Sequence, residues 1–313
     1  MSDQFLRKVG LIVSAGTKGL DLSALRIHFK VQAPDADAPP TAYIRVYNLN
    51  DTDAKAIQNE FQQVTLQAGY QNGNYGIIFK GQIAMVQRGR ESATDTFVDI
   101  MGADSDEIFN FALCNQTVAA GSAPQQRYNT VMKAMAPYAV TSAQASAGNL
   151  GATGGVLPRG KVLWGLARNQ MNDLCKSQQC TWSIQNGQVV VIPLTGYLPG
   201  QIIEINSRTG LVGVPVATQN GINLTCLLNP YLQVGNRVKI NQAELNTTTV
   251  RQQGVYPRYG DVNFPASTSA DGTYRALVVE HQGDSRGQEW YSQVTCLAID
   301  SSAGGVSGVQ AYG

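Results

Sequence analysis

Two histidines, five cysteines and a few clustered carboxylates are what the chain offers to acid–base, nucleophilic or metal chemistry. With His28 and His281 alone, a three-histidine zinc site is excluded. His28 runs opposite in phase to Ile27 and Phe29, the position of a solvated or hydrogen-bonded strand histidine. His281 closes the run YRALVVEH beside a turn, where an ordinary exposed position is expected and a subunit contact is the second reading. Cys175 and Cys180 stand at a helix end without a second ligand pair, so they read as core thiols rather than zinc ligands. Asp104, Asp106 and Glu107 lack the alternating oxygens and turn glycine of a calcium loop, and a solvated helix start explains them better. GNLGATGG, residues 148–155, has neither the preceding strand nor the following Lys-Ser or Lys-Thr of a phosphate loop. Asn223 and Asn246 begin N-x-T matches that carry no glycan without secretion. Trp164 and Trp182 are expected in a core, while Trp290 can point either way and would anchor an interface if exposed. No catalytic, cofactor-binding or metal-binding residue is assigned, and no cofactor is expected.

The elements around these residues describe a scaffold. The chain has 313 residues, room for two or three compact units. Its 23 basic residues balance 22 acidic ones, so no broad basic field exists to grip nucleic acid or an anionic membrane. Charged residues make up 14% and glycines number 32, the balance of an ordered, turn-rich chain. The five cysteines are odd in number and scattered, which argues for reduced core residues in a cytosolic product. The apolar run at 9–13 is too short for a signal sequence or membrane anchor.

Short Val-, Ile-, Tyr- and Phe-rich runs at 25–31, 43–49 and 64–69 read as strands. One helix interrupts them, capped by Asn50 or Asp51, with Ala54, Ile57 and Phe61 on one face as a lid over an open barrel end. GIIFKGQIAMVQ, a turn at 88–94 and TFVDIMG then form a long hairpin. Next come a helix over 124–140 stopping at Pro137, a flexible loop over 141–157 and a second helix over 161–177. A type I′ hairpin turns at Asn186-Gly187. Strands resume from Ile202 as INLTCLL, VGNRVKI, YRALVVEH and EWYSQVTCLAI. The expected division is a β-barrel over 1–104, an α+β insert over 105–201, a second β-barrel over 202–300 and a loose tail over 301–313. The long stretch 246–272 is a candidate contact arm.

The two β units share a closing hairpin. QIAMVQRG (82–89) lies over RALVVEHQ (275–282), and FVDIMGADS (97–105) over QVTCLAIDS (293–301), with three extra residues in the second turn. If the units are duplicates, three chains supply six quasi-equivalent barrels.

IRVYNLNDTDAKAI, VTLQAGYQN and IIFKGQI together resemble the first tail-tube-like domain of baseplate hub proteins of contractile-tailed bacteriophages. LLNPYLQVGNRVKI and VVEHQGDSRGQEWYSQVTCL resemble the second barrel of that family. The fold class this implies is mainly β, two tail-tube-like antiparallel β-barrel domains separated by a small α+β domain. The implied function is a non-enzymatic virion protein of the tail baseplate, made in the host bacterial cytoplasm. It would form a homotrimer joining the sixfold tail tube, or a tube-initiator ring, above to a threefold tail spike below. Other baseplate components and a tape measure protein are further implied partners, with DNA passing only transiently through the channel. A tail-associated cell-wall hydrolase and a carbohydrate-binding adhesin are the alternatives. A related injection device or a long flexible tail is a further setting for the same fold.

Overall fold

The computed structural model describes residues 4–35, 38–138, 140–142, 150, 155–218, 221–240 and 272–298. The first unit comprises β1 (Arg7–Ala15), β2 (Lys18–Asp21), β3 (Ile27–Pro34), β4 (Thr41–Tyr47), α1 (Asp51–Asn59), β5 (Gln63–Tyr70), β6 (Tyr75–Arg90) and β7 (Thr96–Ala103). Period-two alternation sets the faces: Ile27, Phe29 and Val31 point inward from β3, and Ala42, Ile44 and Val46 from β4. Leu11, Val64, Leu66, Phe79 and Ile100 meet them in one core, so the strands curve around a common interior in the order β3-β4-β7-β6-β5-β1-β2. The Asn50 side chain accepts a 2.8 Å bond from the Asp53 amide and caps α1. α1 then buries Ala54 and Ile57, with Phe61 packed alongside, which is the lid the helical spacing predicts. Burying Ile57 alone contributes about 1.5–3 kcal/mol. β6 outruns its predicted end because Arg88, Gly89 and Arg90 still pair with Val98, Phe97 and Thr96, which narrows the turn to 91–95.

The insert holds α2 (Asp106–Phe111), β8 (Leu113–Val118), α3 (Pro124–Met135), β9 (Thr141–Ser142), β10 (Lys161–Leu166), α4 (Ala167–Ser177), β11 (Cys180–Gln185) and β12 (Gln188–Pro193). The helix predicted from Lys161 begins only at Ala167. KVLWGL is instead a strand against β8, because alternation buries Leu163 and leaves Val162 and Trp164 outside. The predicted flexible loop is also partly tied down. Thr141 and Ser142 pair with Gln188 and Val189, Leu150 is buried, and the Leu157 backbone exchanges hydrogen bonds with Gly121 and Ser122. Residues 143–149 and 151–154 of that stretch lie outside the described residues. The Asn186-Gly187 hairpin forms as predicted, with φ of 53° and 77°.

The last unit comprises β13 (Ile203–Ile205), β14 (Leu211–Thr218), β15 (Gly221–Leu227), β16 (Arg237–Ile240), β17 (Thr273–Asp284) and β18 (Trp290–Ala298). Its core gathers Ile222, Leu224, Val238, Tyr274, Val279, Val294 and Cys296. The arm at 246–272, except Gly272, and the tail at 301–313 lie outside the described residues. β17 serves both units. Its first residues pair with β16, while residues 278–284 pair antiparallel with β3, which merges both units into one 13-stranded sheet.

Removing the α1 cap with Asn50→Ala is expected to cost about 1 kcal/mol, read as a lower urea midpoint at unchanged slope.

Candidate functional site

The residues singled out for chemistry do not converge. His28 is half-exposed on β3, its Nε2 3.4 Å from Glu289 Oε2. His281 corrects the exposed expectation: it points inward from β17, buried, with Nδ1 2.7 Å from the Ser292 hydroxyl. Burial pushes its pKa down to about 4 against an opposing bond to the Leu232 carbonyl. Asp104 is buried as well, unlike the solvated helix start expected of it. Its carboxylate accepts from the Ser105 hydroxyl at 2.8 Å and the Gly187 amide at 3.3 Å, and burial raises its pKa despite them. Asp106 and Glu107 do occupy the first turn of α2. Cys114, Cys175, Cys180, Cys226 and Cys296 are all buried thiols.

The tryptophans divide. Trp182 is buried and stacks on Phe109 at 5.7 Å. Trp290 is buried edge-on against Phe29 at 5.5 Å, so it anchors the joint between units within one chain. Trp164 is 69% exposed, which overturns its core placement. Asn223 lies on β15, and Asn246 is outside the described residues, as is most of 148–155. Among the described residues no group of three or more His, Cys, Asp or Glu is arranged to hold a metal ion, and no helix is long and apolar enough to cross a membrane.

What the fold brings together instead is a pair of matching sheets. The β6–β7 register slips between Ile83 and Met85, leaving Ala84 as the extra residue. The β17–β18 register slips between Ala276 and Val278, leaving Leu277 extra. The sequence alignment lays Ala84 over Leu277, so both hairpins carry the same bulge at the same place. Counted from it, Val98, Ile100 and Gly102 correspond to Ser292, Val294 and Cys296, two residues away from the alignment read off the sequence. The second turn, 284–289 against 91–95, is therefore one residue longer rather than three. The match extends to a third strand. Ala42, Ile44 and Val46 stand opposite Gly102, Ile100 and Val98, as Ile222, Leu224 and Cys226 stand opposite Cys296, Val294 and Ser292. It reaches a fourth, where Ile27 faces Val46 and Leu211 faces Cys226.

The sheet face turned away from these cores carries ion pairs between neighbouring strands. Lys30, from β3, sits 2.6 Å from Glu280 of β17, and Arg45, from β4, grips Asp99 of β7 through two bonds of 2.7 and 2.9 Å. The Asp99 bonds hold the Arg45 pKa above its ordinary value. At the ends, Arg26 meets Asp284 at 2.6 Å. Cations held this way have no spare charge for phosphate. The edges are less settled. Among the described residues β14 pairs only with β15, and residues 85–90 of β6 pair only with β7.

One buried ion pair locks the three parts. Arg275 of β17 is paired with Asp35, just past β3, and both side chains are only 3% exposed. Arg275 also donates to the Thr181 hydroxyl at 3.0 Å and the Pro193 carbonyl at 2.9 Å in the insert. The Asp35 amide donates to the Leu277 carbonyl at 2.8 Å, at the bulge itself. A cavity of about 40 Å³ lies at the same meeting of parts, lined by Phe79, Asp104, Asn186, Leu232 and His281 among others.

No protein-family model and no curated protein matches the sequence. Solved structures do match. The fold is similar to that of the 43 kDa tail protein of prophage MuSo2 from Shewanella oneidensis, with a TM-score of 0.57 at 7% identity over 94% of this chain and 98% of that one. It is similar to a tail protein from Neisseria meningitidis MC58, with a TM-score of 0.53 at 11% identity over 93% and 96% of the two chains. A third is an E. coli component of the type VI secretion system, described as similar to the T4 bacteriophage tail proteins gp27 and gp5. It gives a TM-score of 0.52 at 9% identity over 94% of this chain and 78% of that one. The chain thus has the mainly β, tail-tube-like fold of phage tail proteins.

Two outcomes follow from the junction. Arg275→Met leaves Asp35 buried and unpaired, and is expected to cost about 3–5 kcal/mol in urea unfolding, most of it restored when Asp35→Leu is added. His281 has a folded pKa below its ordinary 6.5, so its neutral burial is costless above that value and penalised as pH falls toward about 4. Wild type is therefore expected to lose about 3 kcal/mol more than His281→Asn between those pH values, by unfolding titrations at each pH.

Proposed function

We propose that this chain is a structural protein of a phage tail, the baseplate hub, working as a homotrimer without catalysis. The observation that carries the reading is the repeated sheet: three strands in the same register with the same bulge, and a fourth beside them that matches at its first residues, twice in one chain. Two like units per chain let three chains present six similar faces, which is what a protein between a sixfold tube and a threefold spike requires. In this reading 1–104 and 202–300 are the two tube-like domains and 105–201 is the insert between them. The face with ion-paired Lys30 and Arg45 would line the channel, where a wall that releases no counterions lets DNA slide past. The likeness to tail proteins over nearly the whole chain supports a tail role and a location in the virion.

The test is antibody labelling of intact tail particles viewed by electron microscopy. Label is expected at the distal end of the tail, between tube and spike. Particles that lack the chain, or carry it elsewhere, would sink the reading.

A further inference from the structure

Arg127, on α3 of the insert, stands apart from the other buried charges. Arg275, Asp99 and Asp284 are buried and ion-paired. Arg127 is only 7% exposed, yet among the described residues no carboxylate or hydrogen-bond acceptor meets its guanidinium, and its Nε is sealed from solvent with nothing to donate to. Burial pushes its pKa down, and no neighbouring acid opposes the shift. It belongs to the buried stripe of α3, with Pro124, Tyr128, Val131 and Met135, where helical spacing otherwise places apolar or aromatic groups. A cation left uncompensated at such a position is costly, and a bound anion would offset that cost.

The start of α3 lacks an acceptor of its own. Its cap is Ala123, which has no side-chain oxygen, and its first turn holds no acidic residue. Pro124 has no amide hydrogen, the Gln126 and Arg127 amides turn to the Ala123 carbonyl at 3.0 and 3.3 Å, and the Gln125 amide has no partner among the described residues. A long side chain on a helix leans back over the preceding turn, so Arg127 is directed toward this unfilled end. The positive end of the helix and a forked guanidinium therefore meet in one largely dry place. The insert as a whole favours anions, with six basic residues against three acidic ones over 105–201. We propose that the N-terminal end of α3 binds a free phosphate-type oxyanion, with the Arg127 guanidinium and the Gln125 amide as its donors. So narrow an opening suits a small ion better than the diester backbone of a nucleic acid, and binding needs no second chain.

The purified full chain, Arg127→Met and Arg127→Lys are unfolded in urea at neutral pH, in sodium phosphate or in sodium chloride of matched ionic strength. Phosphate is excluded from protein surfaces and stabilises folded chains generally, so the readout is the difference between wild type and Arg127→Met. The wild-type urea midpoint is expected to rise by roughly 0.5 M more than that of Arg127→Met when phosphate reaches about ten times its Kd. Arg127→Lys, which keeps the charge without the fork, should retain less than half of that excess. In chloride Arg127→Met should be at least as stable as wild type, since it removes an unpaired cation from an apolar stripe. The phosphorus resonance of inorganic phosphate is expected to broaden in the presence of wild type and not of Arg127→Met, which a purely structural role would not cause. Equal midpoint rises in wild type and Arg127→Met, or an Arg127→Met chain less stable than wild type in chloride, overturn the proposal. Broadening relieved by a short single-stranded oligonucleotide would overturn the free ion as the ligand and make a nucleic acid backbone the source of the phosphate.

Discussion

Seven consecutive antiparallel pairs between β3 and β17 hold the two β units in a single ladder, and nearly every longer-range feature of the molecule depends on them. They fix the angle between two sheets whose cores are otherwise separate. They bring Lys30 to Glu280 and Arg26 to Asp284. They also set Asp35 at the bulge of β17, where Arg275 can reach it and the insert together. An ion pair this deep contributes little net stability compared with well-packed apolar side chains, but breaking it is costly, so its value here is in fixing one relative arrangement of three parts.

Beside that arrangement, the buried polar groups among the described residues take on a structural role. The buried polar groups that the sequence made candidates for chemistry are spent on geometry. His281 ties β17 to Ser292 of β18, and Asp104 reaches across to the insert hairpin at Gly187. Low dielectric makes each of these contacts strict, because an unpaired partner is penalised in full.

Local signals carried much of the fold. Asn50 before Ala54 and Ile57 announced α1, and Asn186-Gly187 announced its hairpin, because capping and positive φ are decided by a few adjacent residues. KVLWGL misled, since Leu163, Ala167, Met171 and Leu174 keep a helical spacing through residues whose conformation is decided by pairing with β8, a distant strand. His281, Asp104 and Trp290 were read as exposed or undecided for the same reason: their burial is caused by units remote in sequence. The duplicated hairpin was visible, yet its register was offset by two, because stepping two residues along a strand leaves the inward face unchanged and hydropathy cannot register the error. The ion-paired face has no one-dimensional signature at all.

The three residues crowded opposite Leu224 in β14 include Gly213, held at φ 74°, and Pro215, which has no amide hydrogen to give. A flawless rail on that border would recruit any copy that drifted past and would grow fibres without limit. A broken one makes casual docking shallow and reversible, so crowding alone is a poor builder. The irregularity that bends this strand is thus also what keeps its border from offering a long run of successive partners.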